Sequence, residues 1–265
     1  MKVFFADLDG TLLNDEKIIT DKTMAALLTF IGKGGRFAIC TGRPVNSAMH
    51  IFEALNMPPK GSYIIAYNGA QIYDCERRRT VFRAEVPFDL TASIFELAKF
   101  YDIHCQTYTD THIVSKTENE CVKYYRQNIH MPLIVTDNIL ESLSVPPCKV
   151  MAIELHDHRK LEAFRLALEG KIGKRLKFQY SNQNYLEMFS ADADKGAAVH
   201  RLCDIMGISY KDSIAAGDEQ NDIPMIKAAG IGIAMCNGSR EVKLAADVIT
   251  QEDNNHDGLV PFLTI

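Results

Sequence analysis

Short, unbroken apolar runs, each closed by a polar loop, mark the start of the chain. Val3-Phe4-Phe5-Ala6, Phe37-Ala38-Ile39-Cys40 and Tyr63-Ile64-Ile65-Ala66 are of this kind. Strands buried on both faces read this way, because neither face needs polar side chains. Between them the period changes. Leu27, Phe30 and Ile31 have helical spacing, with Asp21 as a candidate cap and Gly34-Gly35 as the stop. A further helix is expected after Pro44. Strand, helix, strand, helix predicts a parallel sheet covered on both faces.

From about Gln71 to Glu187 the alternation is lost. Hairpin-like strands (Gln71–Tyr73, Val81–Arg83), helices at Leu90–Phe100 and Leu161–Leu168, and strands at Lys149–Leu155 and Tyr185–Phe189 are grouped rather than alternating. Pro132, Pro146 and Pro147 add turns. This stretch reads as an α+β unit with a largely antiparallel sheet. After Lys195 the alternation returns, with a helix through Ala198, Leu202 and Ile205, a strand at Ser213–Ala216, a helix at Ile223–Ala229 and a strand at Ile231–Ala234. The expected architecture is a Rossmann-like parallel α/β core interrupted by an inserted α+β domain. No repeat or low-complexity tract is visible.

Composition narrows the function classes. The chain has 265 residues, a hydrophobic fraction of 47%, a charged fraction of 24% and a net charge of −5. That balance disfavours a nucleic-acid partner, which would need a basic excess. Arg77-Arg78-Arg79 is the one dense basic cluster, and beside Asp74 and Glu76 it reads as a solvated turn. The seven cysteines form no CxxC pair and no zinc spacing. With no signal peptide expected and no run long enough to span a bilayer, reduced thiols in a cytoplasmic protein are predicted. The oligomeric state is left open, a monomer included.

Open parallel sheets bind ligands beyond the carboxyl ends of their strands, and the polar clusters fall there. Asp7-Leu8-Asp9-Gly10-Thr11 follows the first strand, Thr41-Gly42-Arg43 the second, and Gly217-Asp218-Glu219-Gln220-Asn221-Asp222 the strand ending near Ala216. Lys195 is expected to open the helix before that strand. Asp7 and Asp9, one residue apart, would project the same way from an extended segment. With Asp218 added, three acids at one sheet edge call for a divalent cation, and oxygen-only ligation suits Mg²⁺. Thr41, Lys195 and the amides around Gly10 and Gly42 are groups that hold phosphoryl oxygens. One carboxylate can then be a nucleophile. Taken singly, the DxDG is as well an Asx-turn, Thr41 a helix cap, Lys195 a surface lysine, and Asp218 and Asp222 helix-start acids. Together they describe a phosphoryl-transfer site, and spacing alone does not separate Asp7 from Asp9 as nucleophile.

In this order the motifs resemble the haloacid dehalogenase (HAD) superfamily. The insert between Thr41 and Lys195 is similar to that of the C2-capped, Cof-type (HAD-IIB) branch, as are Tyr67-Asn68-Gly69-Ala70 and Asp194-Lys195-Gly196. The resemblance implies a core at 1–83 and 188–265 and a cap at 84–187 that closes over it. It implies Asp7 as nucleophile and Asp9 as general acid, then base. Leu8, Thr41, Gly42, Lys195 and Asn221 would hold the phosphoryl group. Mg²⁺ would be bound by Asp7, the Asp9 carbonyl and Asp218, with Asp222 helping to fix that metal shell or Lys195, and Thr11 supporting the set. The implied activity is hydrolysis of a small phosphorylated metabolite such as a sugar phosphate. A phosphohexomutase-like transfer and a non-catalytic sugar-phosphate sensor are the alternatives. The polar stretch Gln106-Thr107-Tyr108-Thr109-Asp110-Thr111-His112 reads either as leaving-group contacts or as a hairpin turn.

Overall fold

The computed structural model describes residues 2–127, 129 and 131–264. In chain order the elements are β1 (Val3–Asp7), α1 (Asp21–Gly32), β2 (Arg36–Cys40), α2 (Val45–Ala54), β3 (Ser62–Ala66), β4 (Gln71–Asp74) and β5 (Arg79–Arg83). Next come α3 (Phe88–Phe100), β6 (His104–Tyr108), β7 (Ile113–Ser115), α4 (Glu120–Arg126), β8 (Leu133–Val135), β9 (Lys149–Ile153), α5 (His158–Ile172), β10 (Leu176–Asn182) and β11 (Tyr185–Ser190). The chain ends with α6 (Lys195–Met206), β12 (Ser213–Gly217), α7 (Ile223–Ala228), β13 (Ile231–Ala234), α8 (Arg240–Ala245), β14 (Val248–Ile249) and α9 (Val260–Leu263). Two compact units result, one from residues 1–82 and 194–265, the other from 83–193.

The first unit holds a sheet in the order β14-β13-β12-β1-β2-β3-β4-β5. The strands from β14 to β3 run parallel, and β4 turns back antiparallel to β3. Every residue of β1 is buried, yet its two faces do different work. Val3 and Phe5 pack with Val199 and Leu202 of α6 and Met225 and Ile226 of α7. Phe4 points the other way, against Phe30 of α1 and Phe37 of β2. Each buried phenylalanine contributes roughly 1.5–3 kcal/mol by leaving water. Thr20 rather than Asp21 caps α1, its hydroxyl accepting from the Thr23 amide, and Asp21 is the first helical residue. Strands β2 and β3 extend the sheet on one side of β1 while β12, which follows much later in the chain, pairs on the other. That reversal makes the C-terminal ends of β1 and β12 the switch point, where open α/β sheets hold ligands.

The second unit holds a sheet in the order β10-β11-β9-β6-β7-β8, antiparallel except for β7 with β8. Leu90, Ile94 and Phe95 of α3 and Phe164 and Leu168 of α5 pack on Val150, Ala152, Leu186 and Met188. The alternate residues Lys149 and Glu187 form a buried ion pair at 2.9 Å on the opposite face. In the polar stretch, Gln106–Tyr108 belong to β6, and a hairpin turn follows in which the Thr109 amide donates to the His112 carbonyl. The sequence expectation returned the chain to the first unit at 188. The structure keeps Met188, Phe189 and Ser190 in β11, hydrogen-bonded to its sheet neighbours, and the return comes at Asp194.

Candidate active site

Asp7 is the last residue of β1, so the end of a fully buried strand fixes where its carboxylate stands. Its Oδ1 accepts from Lys195 Nζ at 2.6 Å, and the same ammonium donates to Asp222 Oδ1 at 2.6 Å. Lys195 is the first residue of α6, which Asp194 caps by accepting from the Ala197 amide. A lysine buried to 1% exposure is stable only with partners. Burial works against its charge, but Asp7 and Asp222 outweigh that and hold it protonated.

Asp222 is fully committed. Beyond Lys195, its Oδ2 accepts the amides of Asp218 and Glu219, each at 3.0 Å. It thereby folds the loop after β12 and turns Asp218 toward Asp7. Asp218 Oδ1 accepts from the Thr11 hydroxyl at 2.7 Å. Gly10, at φ +78°, lets the first loop pass over this carboxylate; a Cβ there would collide with Asp218 Oδ2.

Asp7, Asp218 and Asp222 bring carboxylate oxygens within 4.8 Å of one another. Burial, then the Asp222 charge, pushes Asp7 upward against the pull of Lys195. Burial likewise pushes Asp218 up to about 6, with Asp222 adding to it. Three carboxylates beside one ammonium leave two negative charges uncompensated. An all-oxygen set with that excess fits a hard divalent cation.

Asp9 does not join this cluster. Its carboxylate turns to Arg43, which donates from Nε (3.1 Å) and Nη2 (2.9 Å) to Oδ2, and to Lys17, whose Nζ donates to Oδ1 at 2.9 Å. Burial opposes the charge, but the two cations prevail and lower the Asp9 pKa. The pleat that would send Asp7 and Asp9 the same way ends with β1 at Asp7, and the chain turns at Gly10. Leu8 has its side chain in the core, so only its backbone is offered to a ligand.

Thr41 is buried at the end of β2, and its hydroxyl accepts from the Arg43 amide at 3.1 Å. It is not a helix cap: the residue before α2 is Pro44. Asn221 lies in the loop after β12 and donates from Nδ2 to Asn68 Oδ1 at 3.4 Å. The structure thus brings Asp7, Lys195, Asp218, Asp222 and Thr11 into one network, and Asn68 joins Thr41, Gly42 and Asn221 to one another. The sequence reading gave no site role to Asn68 or Arg43; only adjacency to Thr41-Gly42 pointed at Arg43.

Against known proteins, the description "haloacid dehalogenase-like hydrolase" is matched over residues 4–263. The crystal structure of a haloacid dehalogenase-like hydrolase from Bacteroides thetaiotaomicron superposes with a TM-score of 0.90 at 28% identity, covering 99% of this chain and 98% of that one. A Thermotoga maritima structure gives 0.88 at 28% identity, with coverage of 99% and 96%. A Bacillus subtilis 5-amino-6-(5-phospho-D-ribitylamino)uracil phosphatase, YwtE, is 29% identical, with 99% of this chain and 97% of that protein covered. Among the described residues no helix is long and apolar enough to cross a membrane. The chain belongs to the haloacid dehalogenase-like hydrolase family and is one of its phosphatases.

Proposed function

We propose that this phosphatase is a Mg²⁺-dependent phosphomonoesterase that works through an aspartyl-phosphate on Asp7. The observation that carries this reading is the Lys195 ammonium held between Asp7 Oδ1 and Asp222 Oδ1. It fixes one oxygen of Asp7 and leaves Oδ2 with no hydrogen-bond partner among the described residues, as an attacking oxygen requires.

Asp7 and Asp218, with the Asp9 backbone carbonyl, would hold Mg²⁺; Asp222, with both oxygens engaged, orients Lys195 and the Asp218 loop. The bound cation supplies charge neutralisation between these acids and the phosphoryl oxygens. Lys195, the Thr41 hydroxyl, Asn221 and the Leu8 and Gly42 backbone hold the phosphoryl group. Asp7 attacks phosphorus and the ester P–O bond breaks. The departing alkoxide takes a proton from Asp9. Asp9, now ionised, accepts a proton from water as that water attacks the aspartyl-phosphate, releasing phosphate and restoring Asp7. Proton delivery requires the Asp9 carboxyl to leave Arg43 and Lys17, whose contacts favour the ionised form that the second step uses.

The substrate class we assign is the phosphate ester of a small polyhydroxylated metabolite, sugar phosphates first. Relatives named for a phosphorylated ribityl compound fit that class. The unit at 83–193 we read as the C2-type cap.

The decisive experiment incubates the protein with Mg²⁺ and a ³²P-labelled hexose phosphate, quenches in acid and digests. Label on the peptide carrying Asp7, labile to base and to hydroxylamine, is expected. Hydrolysis with no labelled peptide under single-turnover conditions refutes the covalent mechanism.

A further inference from the structure

Between β3 and β4 the backbone takes an improbable path. Tyr67, Asn68 and Gly69 all have positive φ, at 50°, 53° and 100°. Two consecutive non-glycine residues in the left-handed region are uncommon, Tyr67 above all, and persist where the surroundings impose them. Here they do. The Tyr67 amide donates to the Arg43 carbonyl and the Asn68 amide to the Thr41 carbonyl, at 3.1 and 3.0 Å. Gly69 lies so close to the Asp194 carbonyl and the Lys195 amide that a Cβ has no room.

This path sets the Asn68 side chain amid the groups assigned to the phosphoryl. Its amide lies over Gly42, whose Cβ, if it had one, would meet Asn68 Oδ1 at 3.2 Å and Nδ2 at 3.3 Å. Its Oδ1 accepts from Asn221 Nδ2. The residue is 8% exposed, yet among the described residues Nδ2 donates to no protein acceptor. A donor that no protein acceptor takes up, beside Gly42, is available to a ligand oxygen. Backbone amides hold the segment, so its strain serves the placement of that side chain.

We infer that Asn68 is a substrate-contacting residue, donating from Nδ2 to a phosphoryl oxygen while its Oδ1 orients Asn221. This inference rests on the phosphatase reading. A purely structural role would make Asn68 a residue chosen because asparagine tolerates the left-handed region. Aspartate tolerates that region too and can still accept from Asn221, but it cannot donate.

The test compares the wild type with Asn68→Gly and Asn68→Asp. Each is measured for p-nitrophenyl phosphate hydrolysis with Mg²⁺, competitive inhibition by inorganic phosphate, and thermal melting. Glycine relieves the strain, so Asn68→Gly should fold. Losing one hydrogen bond to a charged group should raise the phosphate inhibition constant about 10- to 100-fold. Asn68→Asp should raise it at least as much, since it sets a carboxylate against the anion. Melting temperatures should stay near wild type. An unchanged inhibition constant in both variants overturns the inference and leaves the phosphatase reading standing. A wild type that neither hydrolyses the ester nor binds phosphate overturns both.

Discussion

Lys195 Nζ and Asp7 Oδ1, 188 positions apart in the sequence, meet at 2.6 Å in the buried centre of the first unit. The contact joins the start of α6 to the end of β1 and holds one Asp7 oxygen in place.

From it follows the first prediction. Asp7→Asn keeps the size and one acceptor oxygen for Lys195 but removes the nucleophile. Turnover of p-nitrophenyl phosphate should fall on the order of 10⁴- to 10⁶-fold, the scale seen when a covalent nucleophile is deleted. The circular dichroism spectrum should be unchanged. Full activity in this variant removes Asp7 from the role.

Asp222 is predicted to matter for stability as well as turnover. It is fully buried and satisfies Lys195 and two backbone amides. Asp222→Ala leaves those donors unpaired and should cost about 3–5 kcal/mol, read by urea unfolding. A loss under 1 kcal/mol would contradict its anchoring role.

Metal dependence has a readout apart from activity. Mg²⁺ that binds only the folded state should raise the melting temperature in proportion to the logarithm of its excess over Kd. Asp218→Asn should remove most of that increment, and chelation should end hydrolysis in the wild type. Equal Mg²⁺ stabilisation of wild type and variant would take Asp218 out of the ligand set.

Gly69→Ala should be far worse than an ordinary glycine replacement. At φ +100°, with the Asp194 carbonyl against it, a methyl group must push the start of α6 and so displace Lys195. The expected signature is a kcat loss of about 100-fold, on the scale that a displacement of about 1 Å costs a reacting group. Wild-type kcat in Gly69→Ala would show that the Asp194 turn absorbs the methyl without moving Lys195.

His104 supplies a pH prediction for the second unit. Burial lowers its pKa below the ordinary 6.5, against a bond to Gln106 that works the other way. The folded state therefore prefers the neutral ring. Stability is fully present above pH 6.5 and falls as pH drops below it, because the unfolded chain takes up the proton more readily. His104→Gln should flatten that slope below pH 6.5 in thermal melts. Parallel slopes would mean His104 is not the group responsible.

Much of this was legible beforehand. The buried strands, the helix opened by Lys195 and the insertion of an antiparallel unit all follow from periods and turn residues, which are local properties. The place where β11 ends was not, because Met188 and Phe189 read as strand whichever sheet receives them, and hydrogen bonding to β9 and β10 decided it. The direction of Asp9 was missed for a similar reason. One-residue spacing predicts a shared direction only while the strand lasts, and β1 ends at Asp7. The cations that then capture Asp9 come from Lys17 and Arg43, on separate loops.

By itself, then, the sequence determined which groups this phosphatase has at its strand ends, because apolar runs, turns and caps are written in neighbouring residues. Tertiary structure sets which of them meet: Asp9 against Arg43 and Lys17 rather than beside Asp7, and Asn68 over Gly42. Such contacts depend on strand order and on left-handed backbone that only packing enforces, and neither has a signature within a few positions of chain.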